Sequence, residues 1–231
     1  MKNVIVDFRI HNEEKLHLIS LGYNVLICPP SNLLYEAICG HPDMLIHIVK
    51  NNIIVHKDMD ENFIQTLESL NYNIYKTNAS LQNKYPCDVL LNSLSISNLF
   101  IHSINLTDTN LLSLLKDKKL INVNQGYTKC STCVVTDRAV ITSDISIANA
   151  LTFEKIDVLL IPPGDIILPG IDYGFIGGAT GLIETNVLAF YGHLDHYLYR
   201  KEVLSFLKKH KVEPVFLRNG KLIDRGSIFR V

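Results

Sequence analysis

Net charge is nearly absent from this chain: 22 basic residues stand against 23 acidic ones, and the basic ones are scattered. A nucleic-acid binder gathers its cations into a stripe that neutralises phosphates, so no nucleic acid is expected as a partner. No apolar run approaches the ~20 residues that cross a bilayer, and no membrane association is expected. The first residues, Met1-Lys2-Asn3-Val4-Ile5-Val6-Asp7, carry charge where a signal peptide would be apolar, which predicts a cytoplasmic protein. Cysteine is scarce, with five residues at irregular spacing in a chain of 231. A chain of this size needs no covalent staples, so reduced thiols are expected and no disulfide framework. Linkers and low-complexity stretches are also missing, which predicts one domain over residues 1–231. Cys130-Ser131-Thr132-Cys133 has metal-like spacing but no second cysteine pair to complete four ligands. Gly174 to Gly181 lacks both the Lys-Ser/Thr ending and the G-x-G-x-x-G spacing of phosphate loops. Neither a metal nor a cofactor is expected.

What the chain does have is a repeat. The apolar stretches Ile5-Val6-Asp7, Val55-His56-Lys57, Ile101-His102-Ser103, Ile141-Thr142-Ser143 and Phe190-Tyr191-Gly192 each precede a helical pattern, and they follow one another at 50, 46, 40 and 49 residues. The step from Phe190 through the C-terminus to Ile5 is 46, so the period closes on itself. Modules of this size cannot bury their apolar faces alone and must stack on neighbours. The expected fold is α/β: a five-bladed pseudo-fivefold α/β propeller of ββαβ repeats, closed by N- and C-terminal strands in one unit.

Each unit reads alike. The second has Met44 to Val49, a turn at Asn51-Asn52, Ile53 to His56, a helix capped by Asp60 with Phe63, Ile64, Leu67 and Leu70 on its apolar face, and Tyr72 to Tyr75. The third has Val89 to Leu91, Leu99 to Ile101, a helix through Leu111, Leu112 and Leu115, and Leu120 to Val123. The fourth has Cys133 to Val135, Ala139 to Ile141, a helix capped by Ser143 or Asp144, and Val158 to Ile161. The fifth runs from Gly174-Phe175-Ile176 through Val187 to Phe190, a helix with Val203, Phe206 and Leu207, and Pro214 to Leu217. The clasp joins Ser227 to Val231 with Val4 to Val6, a helix from Asn12 to Leu21 ended by Gly22, and Asn24 to Ile27.

This arrangement resembles the pentein fold of the guanidino-group-modifying enzymes: arginine deiminases, dimethylarginine hydrolases, agmatine deiminases and amidinotransferases. In that family a catalytic cysteine opens the first strand of one unit after a glycine-bearing stretch, and a His-x-Asp motif opens the unit two earlier. Here Gln125-Gly126-Tyr127-Thr128-Lys129-Cys130 opens the fourth unit and Gly40-His41-Pro42-Asp43 the second, in the same circular order. The resemblance further implies an acid at the clasp, for which Asp224 in Ile223-Asp224-Arg225-Gly226-Ser227 is the candidate. Gly126-Tyr127-Thr128-Lys129-Cys130-Ser131 and Gly174-Phe175-Ile176-Gly177-Gly178-Ala179 are also similar to an uncharacterised bacterial family of that fold. One stretch departs from the enzymes: the unit after the cysteine's usually opens with an acidic pair that grips the guanidinium, and Gly174 to Gly181 contains no acid.

The resulting expectation is a cysteine-dependent hydrolase or transferase acting on a small amidine-, guanidine-like or amide substrate in a central channel. Cys130 would be the thiolate nucleophile and His41 the general acid and base, while Asp43 would bind substrate or orient the histidine. Asp224, Gly177, Gly178 and Thr180 are the candidate substrate contacts, glycine allowing close backbone approach to a ligand or a neighbouring unit. His47, His56 and His102 read as structural or exposed. The same residues also suit plain packing, since free cysteine fills apolar strands and His-Pro-Asp makes turns. The alternative is therefore a non-catalytic pentein that binds a macromolecular partner or senses a small ligand. The short units lack lid insertions, so exclusion of water from the channel would fall to a second copy of the chain.

Overall fold

The computed structural model describes residues 2–231. Among the described residues the strands form five three-stranded sheets, and every sheet has one plan. A first strand runs antiparallel to a middle strand, and the middle strand runs parallel to a third. Four sheets are continuous in sequence: β3 (Ile46–Val49), β4 (Asn52–Val55) and β5 (Asn73–Lys76); β6 (Leu94–Ile96), β7 (Leu99–His102) and β8 (Lys119–Asn122); β9 (Thr132–Thr136), β10 (Ala139–Thr142) and β11 (Asp157–Leu160); β12 (Thr180–Glu184), β13 (Val187–Phe190) and β14 (Glu213–Phe216). The fifth joins the two ends, with β15 (Phe229–Arg230) antiparallel to β1 (Lys2–Asp7), which runs parallel to β2 (Tyr23–Cys28).

A parallel pair needs a crossover, and a helix supplies it each time. These are α1 (Asn12–Ser20), α3 (Glu61–Ser69), α4 (Thr109–Ser113), α5 (Ile145–Phe153) and α6 (Arg200–Lys209). Three have aspartate caps: Asp60 Oδ1 accepts from Phe63 N at 3.0 Å, Asp108 Oδ1 from Asn110 N at 2.9 Å, and Asp144 Oδ1 from Ile147 N at 2.9 Å. Gly22 follows α1 at φ 88°, the left-handed conformation of a helix stop. Middle strands are the buried ones: β7 and β10 are buried throughout, which explains their unbroken apolar runs. Third strands are less covered, and β5 and β8 are largely exposed.

The sequence reading needs correcting at the starts of units. Val89 to Leu91 lies outside any strand and the strand begins at Leu94; Gly174 to Ala179 likewise lies outside, ending in a turn at 176–179, and the strand begins at Thr180; Met44-Leu45 ends α2 (Pro42–Leu45), a single helical turn before β3. Backbone donors explain the difference. Asp43 N bonds to Gly226 O (3.1 Å), Thr128 N to Asn92 O (3.0 Å) and Gly178 N to Cys130 O (3.0 Å), so these segments bond between units instead of along a sheet. The hairpin turn falls at Lys50-Asn51, with Lys50 at φ 55°, one residue earlier than expected.

His47, His56 and His102 are all buried. His102 lies between Thr107 Oγ1 (2.7 Å) and Gly126 O (2.9 Å), and His47 between Ser93 Oγ (3.0 Å) and Ser95 Oγ (2.9 Å). Burial pushes His47 from 6.5 to about 3, and His56 and His102 to about 4. The unfolded chain therefore binds protons below pH 6.5 that the folded protein refuses until about pH 4. Stability falls with pH across that window, by up to about 1.4 kcal/mol per pH unit for each ring. Denaturant midpoints measured from neutrality down to about pH 5 should decline steadily, and His56→Gln, which removes one such ring, should flatten the decline. Midpoints that stay constant over that range would contradict this account.

Candidate functional site

The segments that enter the five first strands converge. Asp43 leads into β3, Asn92 into β6, Cys130 into β9, Gly177 and Gly178 into β12, and Asp224 to Ser227 into β15. His41 occupies the cap of α2 and Pro42 its first position, where a missing N–H costs nothing. That single turn presents His41 and Asp43 side by side.

Cys130, His41 and Asp43 each place a ligand atom within 4.8 Å of the others, and all three are buried. The Cys130 thiol donates to Asp43 Oδ1 at 3.1 Å and accepts from Asn92 Nδ2 at 2.9 Å. Asn92 also holds the cysteine loop, its Oδ1 accepting from Lys129 N (2.9 Å) and Cys130 N (3.1 Å). Asp43 Oδ2 accepts from Ser227 Oγ at 2.7 Å, and Lys129 Nζ donates to the same hydroxyl at 2.8 Å. Ser227 sits at φ 73°, a left-handed conformation that is costly for a residue with a Cβ, and the turn at Gly226 approaches so closely that a Cβ there would overlap His41.

His41 differs from its neighbours. Neither ring nitrogen has a hydrogen-bond partner, although Nδ1 lies 3.7 Å from Asp224 Oδ1 and Nε2 3.9 Å from Asp7 Oδ2. Asp7 is occupied by Arg9, and Asp224 by the backbone N–H groups of Phe175 (2.8 Å) and Gly226 (3.0 Å). Both ring nitrogens of this buried imidazole are therefore available to a ligand. The same three donors, nitrogen, oxygen and sulfur, have a spacing that would also suit a soft divalent cation.

Burial pushes the Cys130 thiol well above its ordinary range, and the negative charges of Asp43 and Asp224 push further in the same direction. The hydrogen bond from Asn92 acts the opposite way. These influences disfavour the thiolate in the free protein. Burial and the charge of Asp43 also raise Asp224, against the influence of His41.

A cavity of about 300 Å³ opens onto Cys130, His41 and Asp224. Its walls are aromatic and aliphatic, with Tyr35, Tyr127, Tyr173 and Phe175 beside Leu168 and Ile171, and Asp172 adds a second acid. Tyr127 and Phe175 stack at 6.2 Å, and the Tyr127 hydroxyl donates to Asp88 Oδ2 at 2.6 Å. No lysine or arginine lines this space. A second cavity, of about 230 Å³, is lined by residues from the first strands of all five sheets.

Of the residues singled out from sequence, Cys130, His41, Asp43 and Asp224 come together, and Gly177, Gly178 and Thr180 line no part of the cavity at the thiol. Gly177 lies against the backbone carbonyls of Lys129, Cys130 and Thr132, and a Cβ on Gly178 would overlap the Asp224 carboxylate. Those glycines are demanded by packing. Thr180 is buried, bonds Ile176 O at 2.9 Å and borders the second cavity. Asp224 lies against Gly174 and Gly178 of the stretch that has no acid of its own. Sequence reasoning missed Asn92, Asp7, Lys129 and Ser227. The available signal was positional: Asn92 precedes the first strand of its unit much as Asp43 and Cys130 precede theirs.

A comparison with functionally curated proteins finds no match. Solved structures of similar fold include an amidinotransferase, SxtG, of the saxitoxin biosynthetic pathway from Microseira wollei, with TM-score 0.57 and 10% identity over 94% of this chain and 88% of that one. Another is DDAH from Pseudomonas aeruginosa in complex with citrulline, with TM-score 0.55 and 6% identity over 93% and 91%. A third is the inosamine-phosphate amidinotransferase of Streptomyces griseus, with TM-score 0.60 and 10% identity over 94% and 88%. At such identities the likeness is one of fold, and the fold is the pentein fold. No helix among the described residues is long and apolar enough to cross a membrane. Residues 5–229 match the model of a family of unknown function, DUF6873, and the chain belongs to that family.

Proposed function

We propose that this chain is a single-domain, five-bladed pentein whose Cys130 attacks the sp² carbon of a small amidine- or guanidine-type cation, as a hydrolase or transferase. The observation that carries the reading is the contact at the thiol: Cys130 Sγ lies 3.1 Å from a buried carboxylate, beside a buried imidazole with no partner, on the wall of a cavity. The ring is supported by two features. The β15–β1 pair joins the chain ends, and residues of all five first strands border one cavity. A small-molecule ligand is supported by the cavity's size and by the neighbour of this fold that was solved with citrulline.

A planar cation in the cavity would sit against Asp224 and near Asp43, in surroundings where charges interact strongly. Its positive charge offsets the carboxylates that keep the thiol protonated, so binding itself favours the thiolate. His41 takes the thiol proton, and a C–S bond forms to the sp² carbon. His41 then returns the proton to the leaving amine as its C–N bond breaks, which leaves an amidino group on sulfur. Water completes hydrolysis, or a second amine completes transfer: its proton passes to His41, its bond to carbon forms, and the C–S bond breaks.

The cationic probe chloroacetamidine should label Cys130 at least about tenfold faster than neutral iodoacetamide of comparable intrinsic reactivity, and Asp43→Asn should erase much of that preference. Equal rates for the two probes would remove the case for a cationic substrate. In the pH profile of iodoacetamide labelling, the wild-type rate should still be rising above the ~8.5 of a free thiol. Asp43→Asn takes a negative charge from beside the sulfur and should move the inflection downward. A wild-type plateau near neutrality would show a standing thiolate, and a Cys130 that no probe labels would leave the non-catalytic binding protein.

A further inference from the structure

We infer that the second cavity is a binding site for a small oxyanion, a carboxylate or phosphate group, and that its occupancy is felt at Cys130. This cavity of about 230 Å³ has two cations in its lining, Lys129 and Arg230, and no acid. The cavity at the thiol has the opposite character, with Asp172 and Asp224 and no cation. Two pockets of opposite sign therefore flank one buried polar network.

Lys129 is the centre of the inferred site. An ammonium group has three N–H donors. Among the described residues Lys129 Nζ has one hydrogen-bond acceptor, Ser227 Oγ at 2.8 Å, and no carboxylate within 4.0 Å. Its remaining contact is the face of Phe229, 5.5 Å from the ring centroid. A charge so placed has donors to spare for an anion. One further donor group lies close by. Arg230 stands at the rim with its side chain 46% exposed, shared with Glu184 at 3.2 Å.

The link to the thiol is a chain of three contacts: Lys129 Nζ to Ser227 Oγ (2.8 Å), Ser227 Oγ to Asp43 Oδ2 (2.7 Å), and Asp43 Oδ1 to Cys130 Sγ (3.1 Å). Lys129 is the cation that reaches Asp43 through this chain. An anion bound to it adds negative potential and draws the ammonium from Ser227. Both effects make a Cys130 thiolate harder to form, so the anion should slow reactions of the thiol.

The test is calorimetric titration of inorganic phosphate, and separately of acetate, into the full chain at constant ionic strength set with chloride. Saturable binding is expected in wild type and equally in Cys130→Ser, which makes this test independent of the enzymatic reading. Affinity should fall severalfold in Arg230→Gln, a change at an exposed rim that spares the fold, and more in Lys129→Met. Tighter binding of phosphate than acetate identifies a phosphoryl group as the ligand chemistry, and the reverse identifies a carboxylate. At fixed pH, saturating anion should slow iodoacetamide labelling of Cys130 by about twofold or more in wild type, and Arg230→Gln should need a severalfold higher concentration for the same effect. Absence of saturable binding, or binding undiminished in both variants, overturns the site. Binding that leaves the labelling rate unchanged overturns the coupling.

Discussion

Asp43 carries a carboxylate with no exposure at the point where segments from four sheets meet, and much of the surrounding polar structure follows from satisfying it. An isolated carboxylate removed from water is costly, so each of its oxygens must be met by donors. Those donors come from Asn92, Cys130 and Ser227, which lead into β6, β9 and β15. Each answers a second demand as well. Asn92 holds the loop before β9, and Ser227 accepts the strained φ 73° that brings its hydroxyl between Lys129 and Asp43. The network is a joint between sheets as well as a candidate centre for chemistry.

Burial, and after it the same charge together with that of Asp224, pushes the Cys130 thiol well above its ordinary range and disfavours its thiolate. In the proposed reaction a positive charge entering the cavity would offset these carboxylates and favour the thiolate. His41 completes the arrangement by having no protein partner, in contrast to His47 and His102, whose ring nitrogens are all engaged.

Glycine does a particular job at the β12 opening. Gly178 lies under the Asp224 carboxylate and Gly177 against three carbonyls of the cysteine segment, so side chains there would force β12 away from both. The stretch that looked deficient because it held no acid is the one that leaves room for an acid from the C-terminal end of the chain. Read along the sequence, the acid is absent. In three dimensions it stands beside Gly178.

The chain's own periodicity determined the unit plan, the crossover helices and caps such as Asp60, because apolar spacing and capping chemistry act over a few neighbouring residues. The resemblance to the guanidino-group-modifying enzymes, laid over those units, implied His41, Asp43 and Cys130 as candidates at unit openings. Only the tertiary structure decided that Val89 to Leu91 and Gly174 to Ala179 leave the strands, that Asn92, Asp7, Lys129 and Ser227 join the network, and that burial beside two carboxylates raises the thiol. The physical reason is range. Cys130 meets Asn92 across 38 residues of chain, Asp43 across 87, and Asp43 meets Ser227 across 184. No local pattern encodes those meetings; they arise when the sheets pack and the buried groups at their junction must find partners.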